Sequence, residues 1–226
     1  ARVRAVLGDV ARLNAWFGGT RAVVDALEPF FRKGKREGGS GKGSVRWTLL
    51  DVGTGAGDIP AAVGAAARRH GITLTLIGLE RIPAAAALAR TRAGLHPVVG
   101  DGSALPFGPG AVDIIVASQV LHHLPRETAV QWIATFDRLA RRAVVLADLR
   151  RSRLAGAAMW LGGPALGLGY ESRRDAVVSL RRGYTRGELE AMCAAAGIAA
   201  HARYRAWSRV VAAWAPRRQT EGASPR

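Results

Sequence analysis

Cysteine is almost missing from this chain: Cys193 stands alone among 226 residues. It can close no internal disulfide, and a lone thiol does not describe a disulfide-stapled secreted scaffold. No His, Cys, Asp or Glu grouping has the spacing of a metal site, so no metal is expected. No Lys-Ser or Lys-Thr pair follows the glycine-rich stretch at 53–57, which excludes a P-loop. Long apolar runs are also scarce. The longest, Leu154 to Gly169, has 16 residues, short of the about 20 needed to cross a bilayer. It is broken at Gly162-Gly163-Pro164. No secretory leader is expected at the start, where Ala1 to Arg12 alternates charged and apolar residues.

Acidic residues are outnumbered, 17 against 33 basic, for a net charge of +16. Residues 1–50 carry 10 basic and 4 acidic groups, residues 51–150 carry 10 and 8, and residues 151–226 carry 13 and 5. The centre is nearly neutral and the flanks are basic. A positive rim attracts anionic partners such as a phospholipid surface, nucleic acid or acidic small molecules. The length suits one compact domain with a sizeable core.

The most informative stretch is Leu49-Leu50-Asp51-Val52-Gly53-Thr54-Gly55-Ala56-Gly57-Asp58. It reads as a buried strand ending in an acid, a glycine turn, and the opening of a helix over 58–69. Gly53, Gly55 and Gly57 can take positive φ and let a ligand lie against bare backbone. The helix directs free N–H groups at the same turn. The spacing is G-x-G-x-G, not G-x-G-x-x-G, and Asp58 would repel a pyrophosphate. A cationic ligand that also carries a carboxylate fits better than a dinucleotide.

Further acids follow at strand ends. Thr73 to Leu79 reads as a strand ending in Glu80, 29 positions after Asp51, which leaves room for one helix and one strand of a right-handed βαβ unit. A carboxylate there can accept both hydroxyls of a ribose. Val98-Val99-Gly100-Asp101-Gly102 places a third acid after a short strand, suited to an exocyclic adenine amine. A fourth strand, Val112 to Ala117, leads into Ser118-Gln119-Val120-Leu121-His122-His123-Leu124-Pro125.

With these residues the chain resembles the class I S-adenosylmethionine-dependent methyltransferases over about residues 45–215. Arg12 to Arg21 is also loosely similar to the opening segment of quinone-biosynthesis methyltransferases, without the Tyr-Asp expected there. The resemblance implies an α/β fold: a Rossmann-like, seven-stranded, mostly parallel sheet with helices on both faces and the last strand antiparallel. It implies S-adenosyl-L-methionine as cofactor, with contacts from Asp51, Gly53, Thr54, Gly55, Gly57, Asp58, Glu80, Arg81, Asp101, Gly102, Ser118 and Gln119. It places the segment after the fourth strand at the methyl-transfer site. His122 or His123 there can serve as general base for a phenol of pKa about 10, or merely cap backbone. Asp148, ending a fifth strand over 143–148, is a second candidate base. Arg21 could meet a carboxylate if the lead helix folds over the site.

The reading that follows is methyl transfer to a small, apolar, phenolic or quinol-like acceptor, with oxygen slightly favoured over carbon. The alternative is an RNA methyltransferase that uses the basic flanks. No Asn/Asp-Pro-Pro-Tyr/Phe tetrad follows the fourth strand, and Cys193 is far from any catalytic loop, so base-modifying chemistry of those two kinds is disfavoured. A dinucleotide oxidoreductase and a non-catalytic cofactor-binding partner are the other classes left open. A cytoplasmic protein is expected, with a peripheral membrane position as a variant of it.

The chain divides into a helical lead and flexible linker (1–44, the linker from Arg32), a methyltransferase domain (45–216) and a disordered tail (217–226). Residues 151–184 form an insertion capping the acceptor side, where the 154–169 run is a core helix, a lid or a membrane-touching surface. A helix is expected over 127–142. Thr185 and Glu188 form a capping box, and Gly197 is the C′ residue of the helix they open. Two strands, about 198–206 and 209–214, form a hairpin through Trp207-Ser208.

Overall fold

In the computed structural model, residues 2–37 and 45–217 are described. Two helices lead, α1 (Arg2–Trp16) and α2 (Gly19–Glu37). The core then alternates: β1 (Val45–Val52), α3 (Asp58–Arg68), β2 (Ile72–Glu80), α4 (Pro83–Ala89), β3 (Leu95–Val99), β4 (Val112–Ser118), α5 (Arg126–Leu139) and β5 (Ala140–Leu149). An insertion of α6 (Arg153–Gly162) and α7 (Tyr170–Arg182) comes next, followed by α8 (Arg186–Ala195), β6 (Ala202–Arg205) and β7 (Arg209–Trp214).

The sheet has seven strands in the order β3-β2-β1-β4-β5-β7-β6. Pairing is parallel from β3 to β5; β7 is antiparallel to both β5 and β6. Only β7 therefore runs against the rest. Strand β4 is buried from Val112 to Ala117, and β1 from Leu49 to Val52, as expected where a parallel sheet is covered on both faces. One face packs on α5 and α8 through Leu50, Ile115, Ile133, Phe136 and Met192. The other packs on α2 and α3 through Val23, Leu27, Phe31, Val63 and Val145.

Helix α2 is not an appendage. Ala22, Val23, Ala26, Leu27 and Phe31 fall on one helical face, and all are buried. Gly34 sits under the Trp47 indole, where a Cβ would come within 2.2 Å of the ring. The helix runs through Glu37, so Arg32 to Glu37 is helical and not linker. Arg142 binds Glu37 at 2.8 Å and stacks over Trp47, fixing that last turn. The rest of the expected linker, 38–44, lies outside the described residues, as does the tail from 218.

Other boundaries shift for local reasons. Helix α5 stops at Leu139, and Arg141 and Arg142 belong to β5, where both reach the buried carboxylate of Asp113. The capping box at Thr185 and Glu188 is present. Gly197, at φ +78°, closes α8, its N–H and that of Ile198 returning to Ala194 and Cys193 carbonyls. The β6–β7 hairpin turns through Trp207 and Ser208, both left-handed at φ 59° and 60°. Such a turn matches the sheet twist, though glycine or asparagine normally supplies it.

Candidate active site

The glycine bend lies at the carboxyl end of β1, between the ends of β2 and β4. Gly53, Gly55 and Gly57 all have positive φ (76°, 53° and 73°). Side chains are excluded here by contact as well as by dihedral: a Cβ on Gly53 would meet Val120 at 2.3 Å, and one on Gly57 would meet Leu95 at 2.5 Å. Thr54 folds over Gly78, whose missing side chain makes the room.

Three carboxylates gather around the bend. Asp51 is fully buried, and burial pushes its carboxyl up to about 7, the charges of Asp58 and Glu80 adding to the effect. Glu80 accepts from the Gly55 N–H at 3.0 Å and from the Ile82 N–H at 3.0 Å, joining the end of β2 to the glycine bend. Asp58 starts α3 and accepts from Asn14 Nδ2 at 3.0 Å. Asp101 stands beyond the adjacent end of β3, in an exposed turn. Its carboxylate takes the Ser103 N–H at 2.8 Å. That bond, and then the nearby exposed Arg81, hold it below the usual carboxylate range. Gly102 lies against the Trp132 indole, which a Cβ would strike at 2.3 Å. Carboxylates crowded beside bare backbone, the buried Asp51 among them, fit a ligand that carries an ammonium and a sulfonium.

After Ser118 the chain turns sharply. Gln119 takes φ 57°, in the left-handed region, and its N–H is held by the Ala147 carbonyl at 2.8 Å. Its side-chain amide donates to Asn14 Oδ1 at 2.5 Å. A 3₁₀ turn over Leu121–His123 then brings two imidazoles together, their centroids 4.0 Å apart. They differ in setting. His122 is buried, with Nδ1 2.6 Å from Asp148 Oδ1 and its backbone N–H on the same carboxylate. The Leu149 N–H also binds Asp148, at 2.7 Å. His122 Nε2 is buried and has no partner among the described residues. His123 is open to solvent on one side; burial on the other, with His122 beside it, lowers its pKa.

Both rings border a cavity of about 290 Å³. Its walls are mainly apolar and come from α1 (Val6, Val10, Leu13), α6 (Ala155, Ala158, Met159), α7 (Ala176, Leu180), Phe17 and Trp207. Gln119, Ser172, Ser179, Asp175 and Arg209 add polar groups. Helix α1 is tied down over the site: Asn14, itself buried, bridges Asp58 and Gln119.

Sequence reasoning missed Asn14 and Arg209. Asn14 lay within a segment singled out only for its likeness, and Arg209 opens a strand far along the chain. Nothing local marks either. Arg21 does not reach the site: it is exposed and pairs with Asp25 on the outer face of α2. The buried cation near the cavity is Arg209.

The strand order and the glycine bend after β1 define a Rossmann-like methyltransferase fold. Residues 50–147 match the methyltransferase domain family. An uncharacterized methyltransferase of Mycolicibacterium vanbaalenii is 39% identical over 92 residues, 39% of this chain and 33% of that protein. The chain thus spans about a third of that relative's length. A SAM-dependent methyltransferase from Aquifex aeolicus superposes with a TM-score of 0.55 at 14% identity, covering 76% of this chain and 83% of that one. Magnesium protoporphyrin IX methyltransferase from Synechocystis, solved with bound SAH, gives 0.55 at 15%, covering 90% and 83%. Residues 50–147 thus match a methyltransferase domain, set in a fold shared with solved S-adenosylmethionine-dependent methyltransferases.

Proposed function

We propose that the protein methylates a small apolar acceptor with a phenolic or quinol-like hydroxyl, bound in the cavity beneath α1, α6 and α7. The observation that carries this reading is His122: Nδ1 on Asp148, Nε2 buried and unpaired, the ring on the cavity wall. Asp148 holds the tautomer that leaves Nε2 free to accept a proton, and it stabilises the imidazolium that forms. His122 is then the general base, Asp148 its orienting partner, and His123 a wall. The cofactor, when bound, supplies an activated methyl and a neutral leaving group. The carboxylates of Asp51, Asp58 and Glu80 would hold its cationic and ribose parts, Gly53 to Gly57 its methionine end, and Asp101 its adenine, with Thr54, Arg81, Gly102, Ser118 and Gln119 around it. The protein's remaining task is alignment, holding the acceptor near ~3–3.5 Å in a dry site.

His122→Ala should lower turnover ~10²–10⁴-fold with little loss of cofactor affinity, and added imidazole should restore part of the rate. Unchanged turnover would reassign the dyad to structure. Screening hydroxylated aromatics with labelled methyl donor, read by mass spectrometry, supplies the acceptor. Oxygen against carbon is then decided by which product bond carries the label.

The outer side of the insertion favours a membrane-peripheral position at the cytoplasmic face. Leu154 and Leu161 of α6 are 85% and 79% exposed. Arg151, Arg153 and Arg181 line a groove beside Trp160. No helix among the described residues is long and apolar enough to cross a membrane. Exposed leucines beside arginines suit an anionic lipid surface; RNA offers the leucines nothing, which leaves the RNA methyltransferase reading second.

A further inference from the structure

One side chain of the cavity is unexplained by methyl transfer alone. Arg209 is 5% exposed, yet its Nε has no partner among the described residues. One terminal nitrogen makes a long hydrogen bond, 3.4 Å to Asn14 Oδ1, an oxygen that Gln119 already occupies at 2.5 Å. Burial lowers its pKa to about 10, against the opposing pull of Asp148 and Asp58, so it is charged at neutral pH. A buried guanidinium without a counter-ion is costly and is normally met by a carboxylate or phosphate in a forked pair. Arg209 borders the cavity together with Gln119 and His122, while Met159 and Leu180 supply apolar wall. Its strand pairs Arg209 with Leu149, the residue next to Asp148.

We infer that Arg209 is the receptor for a carboxylate on the acceptor, so that the substrate class is an aromatic hydroxy acid: an apolar body with an acid group at the Arg209 side and a hydroxyl within reach of His122. This rests on the acceptor-cavity reading above. The arginine separates acids from neutral analogues, because a site built around a buried charge leaves that charge unpaired when the acid is missing. The carboxylate of the cofactor's methionine part has the same chemistry and is the competing source.

The test is binding, not turnover, so it stands apart from the role of His122. Calorimetry on the S-adenosylhomocysteine complex compares 4-hydroxybenzoate and hydroxynaphthoates with phenol and naphthols. The wild-type protein should bind the acids at least about tenfold tighter, a factor corresponding to 1.4 kcal/mol. Arg209→Met should abolish that preference, and Arg209→Lys should keep part of it. S-adenosylhomocysteine affinity should stay within about twofold in both variants, and the melting temperature of Arg209→Met should not fall, since the distant pull of Asp148 and Asp58 does not offset the cost of burying the guanidinium. Equal binding of acids and neutral analogues by the wild-type protein overturns the inference. So does a loss of S-adenosylhomocysteine affinity with the acid preference intact, which gives Arg209 to the cofactor. Loss of turnover in His122→Ala with the acid preference retained would leave both readings standing; retained turnover there would sink the general base and not the receptor.

Discussion

Asp51 is an acid held where its charge is unwelcome. Its folded pKa of about 7 lies above the unfolded value near 3.9. The folded protein therefore binds that proton more tightly, so stability without cofactor should fall as pH rises from about 4 to 7 and level off above. Cofactor binding has the opposite dependence: affinity should rise between pH 6 and 8, with a proton released below neutrality. Calorimetry in buffers of different ionisation enthalpy measures this, and a pH-independent affinity would remove Asp51 from the cofactor's cationic contacts. Glu80→Ala should weaken cofactor binding by about 1.5–3 kcal/mol, the scale of a charge-assisted hydrogen bond. His122 and His123 could not be ranked from the sequence. What separates them is a 2.6 Å contact with a carboxylate 26 residues away, and adjacent residues in a 3₁₀ turn carry no periodicity that would reveal it.

Elements were legible wherever one local rule sufficed. Parallel strands ending in acids, the glycine bend and the Thr185 capping box all came through, because each is written within a few consecutive residues. Helix α7 did not, since its Tyr170 to Arg182 sequence is largely polar and its buried positions are few. The end of α2 was hidden by the lysines and arginines of 32–37, which look like linker until Glu37 meets Arg142. Two stability predictions belong at this scale. Thr185→Ala removes the N-cap of α8 and should cost about 1 kcal/mol. Asp113 accepts from Arg141, Arg142 and the Thr48 N–H at 2.8–3.3 Å while itself buried; Asp113→Ala leaves the Thr48 N–H without its acceptor, while the solvent-facing arginines rehydrate, and should cost about 1–3 kcal/mol. Chemical denaturation reads both.

At the scale of the whole molecule, the charge imbalance was visible from composition, but what it surrounds was not. Arg151, Arg153 and Arg181 line a groove on one side of α6, Met159 and Ala155 of the same helix line the cavity on the other, and Leu154 and Leu161 are exposed between them. That arrangement needs the insertion folded back on the sheet, which no local pattern states. Vesicles of phosphatidylcholine with phosphatidylglycerol should retain the protein at low salt and release it at high salt. Leu154→Glu with Leu161→Glu should weaken retention while leaving cofactor affinity intact. Retention equal to wild type would show that α6 does not face lipid. The cavity and the outside are thus separated by a wall one helix thick. On the proposed reading, an acceptor with an apolar body that passed α6 from a bilayer would never have to dissolve in water, and turnover would follow its mole fraction among the lipids, not its amount per litre.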